Sequence, residues 1–116
     1  MNHPWIKSFP GAIIVCDTQG IILDMNDQAV ESFKEDGGRE LVGKNLFDCH
    51  PEPARSHLAE MLKLQKQNIY SIEKHGIKKL IYQTPWYDNG TYSGFVEISL
   101  PIPFVLPHFI RAEEKG

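Results

Sequence analysis

Short apolar runs separated by turn residues occur near both ends of this chain, and they predict strands. Ala12–Cys16 and residues 21–24 flank a turn that ends at Gly20, and β-branched residues fill the first run. Three further strand-like runs cover residues 69–74, 77–87 and 92–100. Between them, His75-Gly76 and Asp88-Asn89-Gly90 predict tight turns, because Asn-Gly favours a type I′ hairpin. The pattern therefore predicts an early hairpin and three later strands.

Helical spacing occurs between these two groups of strands. Asn26 is a good N-cap residue and predicts a first helix over residues 26–33. A short helical turn is expected at 39–42. A longer helix is predicted over 53–67, because prolines are favoured in the first turn of a helix. One face of this longer helix carries Ala54, Leu58, Met61, Leu62 and Gln65.

This order of elements predicts an α+β domain in which helices pack on one face of an antiparallel sheet. We expect the domain to span residues 9–100, after a lead of residues 1–8. The Pro-rich tail, residues 101–116, cannot continue the last strand as a long coiled-coil helix. The tail is too apolar for a solvated linker, since it holds Phe104, Val105, Leu106, Phe109 and Ile110. We therefore expect it to pack on its own domain or on a dimer mate.

Composition and charge argue against several classes of protein. The 116 residues suffice for one domain with a single core. A net charge of −3 argues against a nucleic-acid partner, which usually needs a basic stripe. No apolar run approaches the roughly 20 residues of a membrane span, and the N-terminus lacks a signal-peptide pattern. Cys16 and Cys49 are too few for a disulfide framework, so we expect a cytoplasmic protein with Cys16 in its core.

Signatures of catalysis are missing from the sequence. No Gly-rich phosphate loop follows a strand, and no G-x-S-x-G nucleophile motif occurs. Nothing in the pattern places a nucleophile beside a base, so we predict that the protein is not an enzyme. A small ligand-binding α+β enzyme stays open as an alternative, and its mark would be a convergent polar cluster in the pocket.

Several pieces of the chain, taken in order, resemble a PAS domain of bacterial type. They are the Asp17-x-x-Gly20 hairpin, Asn26 at the helix start, residues 41–47, Asp88-Asn89-Gly90 and residues 94–97. Residues 45–51, together with Tyr92-x-Gly94-x-Val96-Glu97, also resemble a PAS subgroup found beside haemerythrin-like domains. The resemblance implies a five-stranded sheet in the spatial order 2-1-5-4-3. It also implies a sensor and interaction module that holds a small molecule, a haem, a flavin or no ligand between the long helix and the sheet.

The function expected from this resemblance is signal sensing and protein interaction. A small organic ligand, if one binds, should lie between the 53–67 helix and the sheet, and we expect a homodimer with a further, unidentified protein partner. The residues that we expect to line the pocket are apolar or polar side chains of the helices and late strands: Phe33, Phe47, His57, Leu58, Met61, Leu62, Tyr82, Thr84 and Val96. The sheet face that carries the aromatic residues of strand 77–87 is equally suited to a dimer contact.

A haem-binding gas or redox sensor is the main alternative. Pro51-Glu52-Pro53-x-Arg55 resembles the start of the long helix in bacterial oxygen-sensing haem PAS domains. In that pattern the iron ligand stands three residues after the arginine, a position that Leu58 occupies here. His57 precedes it by one residue, which is about 100° around a helix. Because no histidine stands at the ligand position itself, the neighbouring His57, together with His50, is the candidate haem ligand.

Other cofactors fit the sequence less well. Cys49-His50 offers two zinc ligands, whereas a structural zinc site needs four, so no metal site is predicted. Cys49 is instead expected to pack as a small hydrophobe, with His50 or Asp48 helping to cap the long helix. Cys49 also lies near the position of the reactive cysteine in light-sensing PAS domains. The arginine that holds the flavin phosphate is missing there, which argues against flavin.

Overall fold

Five strands and three α-helices make up the part of the chain that the computed structural model describes, residues 2–112 without the side chain of Cys49. The helices are α1 (Pro4–Lys7), α2 (Asp27–Ser32) and α3 (Ala54–Leu64). The strands are β1 (Ala12–Cys16), β2 (Ile22–Met25), β3 (Asn68–Lys74), β4 (Ile77–Asp88) and β5 (Thr91–Ile102). Single 3₁₀ turns occupy Lys34–Asp36, Gly38–Leu41 and Leu46–Cys49. None of the helices in residues 2–112 is long and apolar enough to cross a membrane.

The strands form one antiparallel sheet in the order β2-β1-β5-β4-β3, which confirms the predicted topology. Glu97 of β5 lies opposite Ile14 of β1 on one side and opposite Gln83 of β4 on the other. Gln83 in turn lies opposite Asn68 of β3. Because side chains alternate along a strand, these four residues share the face that the helices cover, which we call the inner face.

Asn26 joins the first hairpin to α2 and is completely buried. Its side-chain oxygen accepts hydrogen bonds from the backbone N–H of Ile13, at 2.9 Å, and of Ala29, at 3.0 Å. Its side-chain nitrogen donates to the carbonyl oxygens of Gly11, at 2.8 Å, and Ile6, at 3.2 Å. The predicted N-cap is therefore confirmed, and the same amide also ties β1 and α1 to the start of α2.

Close contact between β1 and β5 depends on Gly94. Its φ of +142° is one that residues with a side chain rarely adopt, and a Cβ there would collide with the carbonyl oxygen of Cys16. The indole nitrogen of Trp86 donates to that same oxygen at 3.1 Å. The end of β1 is thus held against β5 and β4 together.

The apolar core lies in two clusters on the inner face. One contains Ala12, Ile22, Met25, Ala29 and Leu41, and the other contains Cys16, Met61, Leu62 and Phe95. Within α3, the buried residues Met61 and Leu62 both belong to the C-terminal half. The Tyr92 hydroxyl donates to the Leu62 carbonyl oxygen at 2.8 Å, which holds this end of α3 to β5.

Two ends differ from the predicted ones by two residues or more, and the other bounds differ by one residue at most. The long helix was expected to reach residue 67, but α3 ends at Leu64 because Gln65 adopts a left-handed φ of 54°. Gln65 therefore leaves the helical face on which its spacing had placed it. At the other end of the chain, β5 continues to Ile102, where it lies opposite Lys78.

The tail beyond β5 lies at the surface as far as residue 112. Its apolar side chains are exposed on the single chain: Phe104, Val105, Leu106, Phe109 and Ile110. One hydrogen bond, from the Lys78 ammonium to the Phe104 carbonyl oxygen at 3.3 Å, attaches its start to β4. Packing on a dimer mate stays a prediction, and residues 113–116 lie outside the described residues.

We expect Asn26→Ala to lower the free energy of unfolding by roughly 3 kcal/mol or more, because a lost N-cap costs about 1 kcal/mol and each orphaned buried group about 1–3 kcal/mol. Urea unfolding followed by circular dichroism measures the loss. Gln28→Ala, on the exposed side of α2, is the matched control and should change stability by about 0.5 kcal/mol at most. Equal losses in the two variants would contradict this role of Asn26.

Candidate functional site

A cavity of about 370 Å³ lies between the inner face of the sheet and the helices. Most of its lining is apolar and comes from separate elements, among them Ile14, Ile22, Met25, Leu41, Leu58 and Met61. Ile14 alternates onto the inner face, and Ile22 and Met25 both reach that face because the β1–β2 pairing shifts register between Val15 and Cys16. Leu58 reaches the cavity from the N-terminal half of α3. Residues of both core clusters line the cavity, which lies beside the less buried half of α3.

Polar side chains cross the inner face in one row over three strands. The Asn68 amide nitrogen donates to the Gln83 side-chain oxygen at 3.0 Å. The Gln83 amide nitrogen donates to one Glu97 carboxylate oxygen at 2.6 Å. Gln83 and Glu97 both line the cavity, so the row ends on a carboxylate at the cavity wall.

His50 adds a polar group from the segment between the last 3₁₀ turn and α3. The ring is half-buried, and its Nδ1 lies 2.6 Å from the carbonyl oxygen of Leu46. A carbonyl oxygen can only accept, so Nδ1 carries the proton in this bond. His50 also lines the cavity. In the neutral ring, Nε2 is then an acceptor.

The Cys16 thiol lies in the core as predicted, with 3 % of the residue exposed, and it lines the cavity. Burial raises the pKa of Cys16, partly opposed by a hydrogen bond with the Phe95 backbone. The negative charges of Asp17 and Glu97 add to the rise. A cysteine nucleophile needs the opposite shift, so this thiol is poorly suited to covalent catalysis.

Burial also raises the pKa of the Tyr70 hydroxyl, and the negative charge of Glu97 adds to this rise. Tyr70 lies opposite Ile81 in the sheet, which puts it on the inner face. The charge of Glu97 therefore acts on side chains of both β1 and β3.

The structure places the predicted pocket residues in three groups. Phe33, Leu58, Met61 and Val96 line the cavity. Phe47 and Leu62 pack beside it in the core cluster around Cys16. His57, Tyr82 and Thr84 are not among the lining residues.

Geometry explains why the third group lies elsewhere. His57 is exposed, whereas Leu58, one position later on α3, lines the cavity. Tyr82 lies opposite Ile98, on the sheet face away from the helices, and Thr84 shares that face. The expected pocket residues Tyr82 and Thr84 therefore lie on the outer face of the sheet and not in the cavity.

Several lining residues were not predicted, among them Ile14, Cys16, Met25 and Glu97. The alternation of Ile14 with Cys16 in β1, and of Phe95 with Glu97 in β5, is the signal that could have found them. Gln83 also lines the cavity and was not among the predicted pocket residues. The zinc and packing expectations for Cys49 fall on a side chain outside the described part. Among the described side chains, no group of three His, Cys, Asp or Glu residues is arranged to hold a metal ion.

Comparisons with known proteins agree with the sheet topology. A family model described as the PAS fold matches residues 6–68, more than half of the chain. A C-terminal domain from Streptococcus mutans superposes with a TM-score of 0.69 at 19% identity, over 83% of this chain and 78% of that one. No curated protein matches the sequence.

Two PAS-containing proteins are among the other similar structures. The PAS domain of Bordetella pertussis BvgS has a TM-score of 0.59 at 21% identity, over 84% of this chain and 81% of that one. The Vibrio cholerae Aer2 receptor, a dual PAS–haem oxygen sensor, has a TM-score of 0.56 at 21% identity, over 80% of this chain and 95% of that one. At these identities the likeness concerns the fold.

In a Cys49→Ser variant, we expect the Cys16 thiol to react with a disulfide reagent at neutral pH slower than an unfolded cysteine by roughly an order of magnitude or more. Burial both blocks access and raises the pKa, which lowers the thiolate fraction. The colour released by the reagent measures the rate, and the same variant in urea is the control. Equal rates with and without urea would contradict a closed, apolar setting for Cys16.

Proposed function

Because the chain belongs to the PAS-fold family, we propose that it is a ligand-responsive sensory module of a signalling system, with its signal bound in the cavity beside α3. Domains of this family are sensory modules. The cavity is the observation that supports a small-molecule signal. Its volume of about 370 Å³ lies within the range of small-molecule sites, roughly 300–1,000 Å³. Its mainly apolar wall with a few polar groups is also typical of such sites.

The way α3 is attached supports a mechanism of signal transfer. Its C-terminal half is fixed by buried Met61 and Leu62, whereas Leu58 faces the cavity from the less buried half. A ligand that prefers one position of Leu58 will shift α3 toward that position, in proportion to its differential affinity for the two states. The change then reaches a partner through the outer face of the sheet or the chain ends.

A haem sensor is the second candidate, because one observation favours it. His50 lines the cavity with Nδ1 bound to a backbone carbonyl, which leaves Nε2 to face an iron as axial histidines do. Haem also carries two propionates, and the described lining offers two carboxylates, Asp36 and Glu97, with no arginine or lysine. The residue set therefore fits haem poorly, and an organic ligand is the first choice.

We also propose that the protein is not an enzyme and that it acts in the cytoplasm. Cys16 has the reverse of the pKa shift that a nucleophile needs, Gln83 bonds to Glu97, and the His50 ring bonds to the backbone, so no nucleophile is paired with a base in the lining that the structure describes. The likeness to haemerythrin-associated PAS domains stays a prediction.

We expect the purified protein to carry, or to take up, a small organic molecule that Leu58→Trp excludes by filling the cavity. Leu64→Trp is the matched control, since it makes the same change at an exposed site on the same helix. Native mass spectrometry measures the bound mass, and an absorption spectrum of the same sample tests for haem. Added mass in wild type and Leu64→Trp, but not in Leu58→Trp, supports the proposal.

A Soret band that disappears in His50→Ala would instead establish the haem alternative. Equal bound mass in the Leu58 and Leu64 variants would place any ligand outside the cavity and contradict the proposed site.

A homodimer is part of the proposed function, with the tail as its contact. The outer face of the sheet is largely apolar, with Ile13, Val15, Leu80, Ile98 and Leu100 half-buried on the single chain. The tail carries five exposed apolar side chains directly after the strand that crosses this face. Exposed apolar surface of this extent is typical of interfaces.

Ending the chain after Ile102 should then shift its mass in solution from dimer to monomer, because the apolar tail is removed while β5 stays whole. Light scattering coupled to gel filtration measures the mass. Replacement of Val105 and Ile110 by serine in the full chain is the matched control for chain length and should also yield monomer. A full chain that is already monomeric would contradict the proposed dimer.

A further inference from the structure

Glu97 is the last acceptor in a row of hydrogen bonds, in which Asn68 donates to Gln83 and Gln83 donates to Glu97. Only the NH₂ group of Gln83 can donate to a carboxylate, so Glu97 fixes the orientation of that amide. The Gln83 oxygen then faces Asn68, whose NH₂ group donates to it. Each amide of the row donates one of its two N–H groups within the row, and free acceptor capacity remains on the Glu97 carboxylate.

His50 contributes a second acceptor to the same cavity. Its Nδ1 proton is engaged by the Leu46 carbonyl oxygen, which leaves Nε2 with a lone pair in the neutral ring. Asp36, on the exposed side, adds a third acceptor to the lining. Among the four polar lining residues, Glu97, Asp36 and His50 offer acceptors and Gln83 keeps one N–H, so acceptors predominate and two of them are carboxylates.

No opposite charge balances Glu97 within the described part of the chain. Lys34, Lys74 and Lys79 line a neighbouring groove that Glu97 also borders, but none forms an ion pair with Glu97 there. Its direct partner is the neutral Gln83 amide. A carboxylate in a mainly apolar cavity loses hydration, and a cation that replaces this hydration binds with a charge-assisted hydrogen bond.

We propose that the cavity selects a small organic cation, an amine or amidine on an apolar body, and that Glu97 recognises its charged group. This inference rests on the proposed sensory function. The apolar body contacts Ile14, Leu58 and Met61, and the N–H groups of the cation face Glu97 and His50. A carboxylic acid of the same size is rejected by like-charge repulsion, and a hydrocarbon leaves Glu97 dehydrated without a counter-charge.

Three probes of matched shape test this charge preference on the full chain. Phenethylamine, phenethyl alcohol and phenylacetate carry the same ring and differ in the charge of the head group. Calorimetric titration should give the amine an affinity higher than that of the alcohol by about tenfold or more, with the acid weakest. This comparison uses the wild-type protein, so it does not depend on the folding of a variant.

Glu97→Gln identifies the recognising residue, because it removes the charge and keeps an oxygen for Gln83. It should reduce the affinity for the amine to that for the alcohol. Glu73→Gln, an exposed position on β3 outside the cavity lining, is the matched control and should keep the preference. Thermal unfolding of both variants checks that each is folded at the temperature of the titration.

The outcomes separate this inference from the proposed function. If the alcohol or the acid binds as tightly as the amine and Leu58→Trp abolishes that binding, the cavity is a ligand site and the charge preference is wrong. An amine preference that survives Glu97→Gln also overturns the role of Glu97. If no probe binds at millimolar concentration and the wild type carries no bound mass, the proposed function fails along with the inference.

Discussion

The buried amide of Asn26 is the interaction on which the arrangement of this domain depends. A buried polar group must find partners, and this one finds them on the first turn of α2 and, 13 to 20 residues earlier in the chain, on α1, Gly11 and the start of β1. The residue before it, Met25, is fully buried and forms part of the cavity wall. The same amide that starts α2 therefore fixes one side of the cavity, so stability and cavity geometry are coupled at this residue.

The inner face of the sheet has a different chemistry on each half. Over β1 and β2 it presents apolar side chains such as Ile14 and Ile22, whereas over β4 and β5 it presents the hydrogen-bonded pair Gln83 and Glu97. The cavity lies across this boundary. Its lining therefore has an apolar part suited to the body of a molecule and a charged part suited to one end of it. A carboxylate that only stabilised the fold would be expected to have a counter-charge within the fold.

Local signals in the sequence were sufficient to predict the helices and strands and their order along the chain. Asn26 marks a helix start by its capping chemistry. The Asn89-Gly90 pair marks a hairpin because both residues take a positive φ, 50° and 82°. The sequence did not show which face of β4 meets the helices, because the set of alternating residues that contains Tyr82 and the set that contains Gln83 both combine apolar and polar side chains. Glu97 was missed as a site residue for the same reason, since a carboxylate on a strand has the pattern of a solvent-exposed position until its neighbours Ile14 and Gln83 are known.

The hydrogen bond between Tyr92 and Leu62 attaches α3 to the sheet near the C-terminal end of the helix, so a rigid-body rotation of α3 would turn about that end. The helix rises about 1.5 Å per residue, so Ala54 lies roughly 12 Å along the axis from Leu62. A rotation of about 10° around that end moves the first turn of α3 by roughly 2 Å and moves Leu58 by about half as much. A small displacement at the cavity wall is thereby doubled at the start of the helix, next to the segment that carries His50.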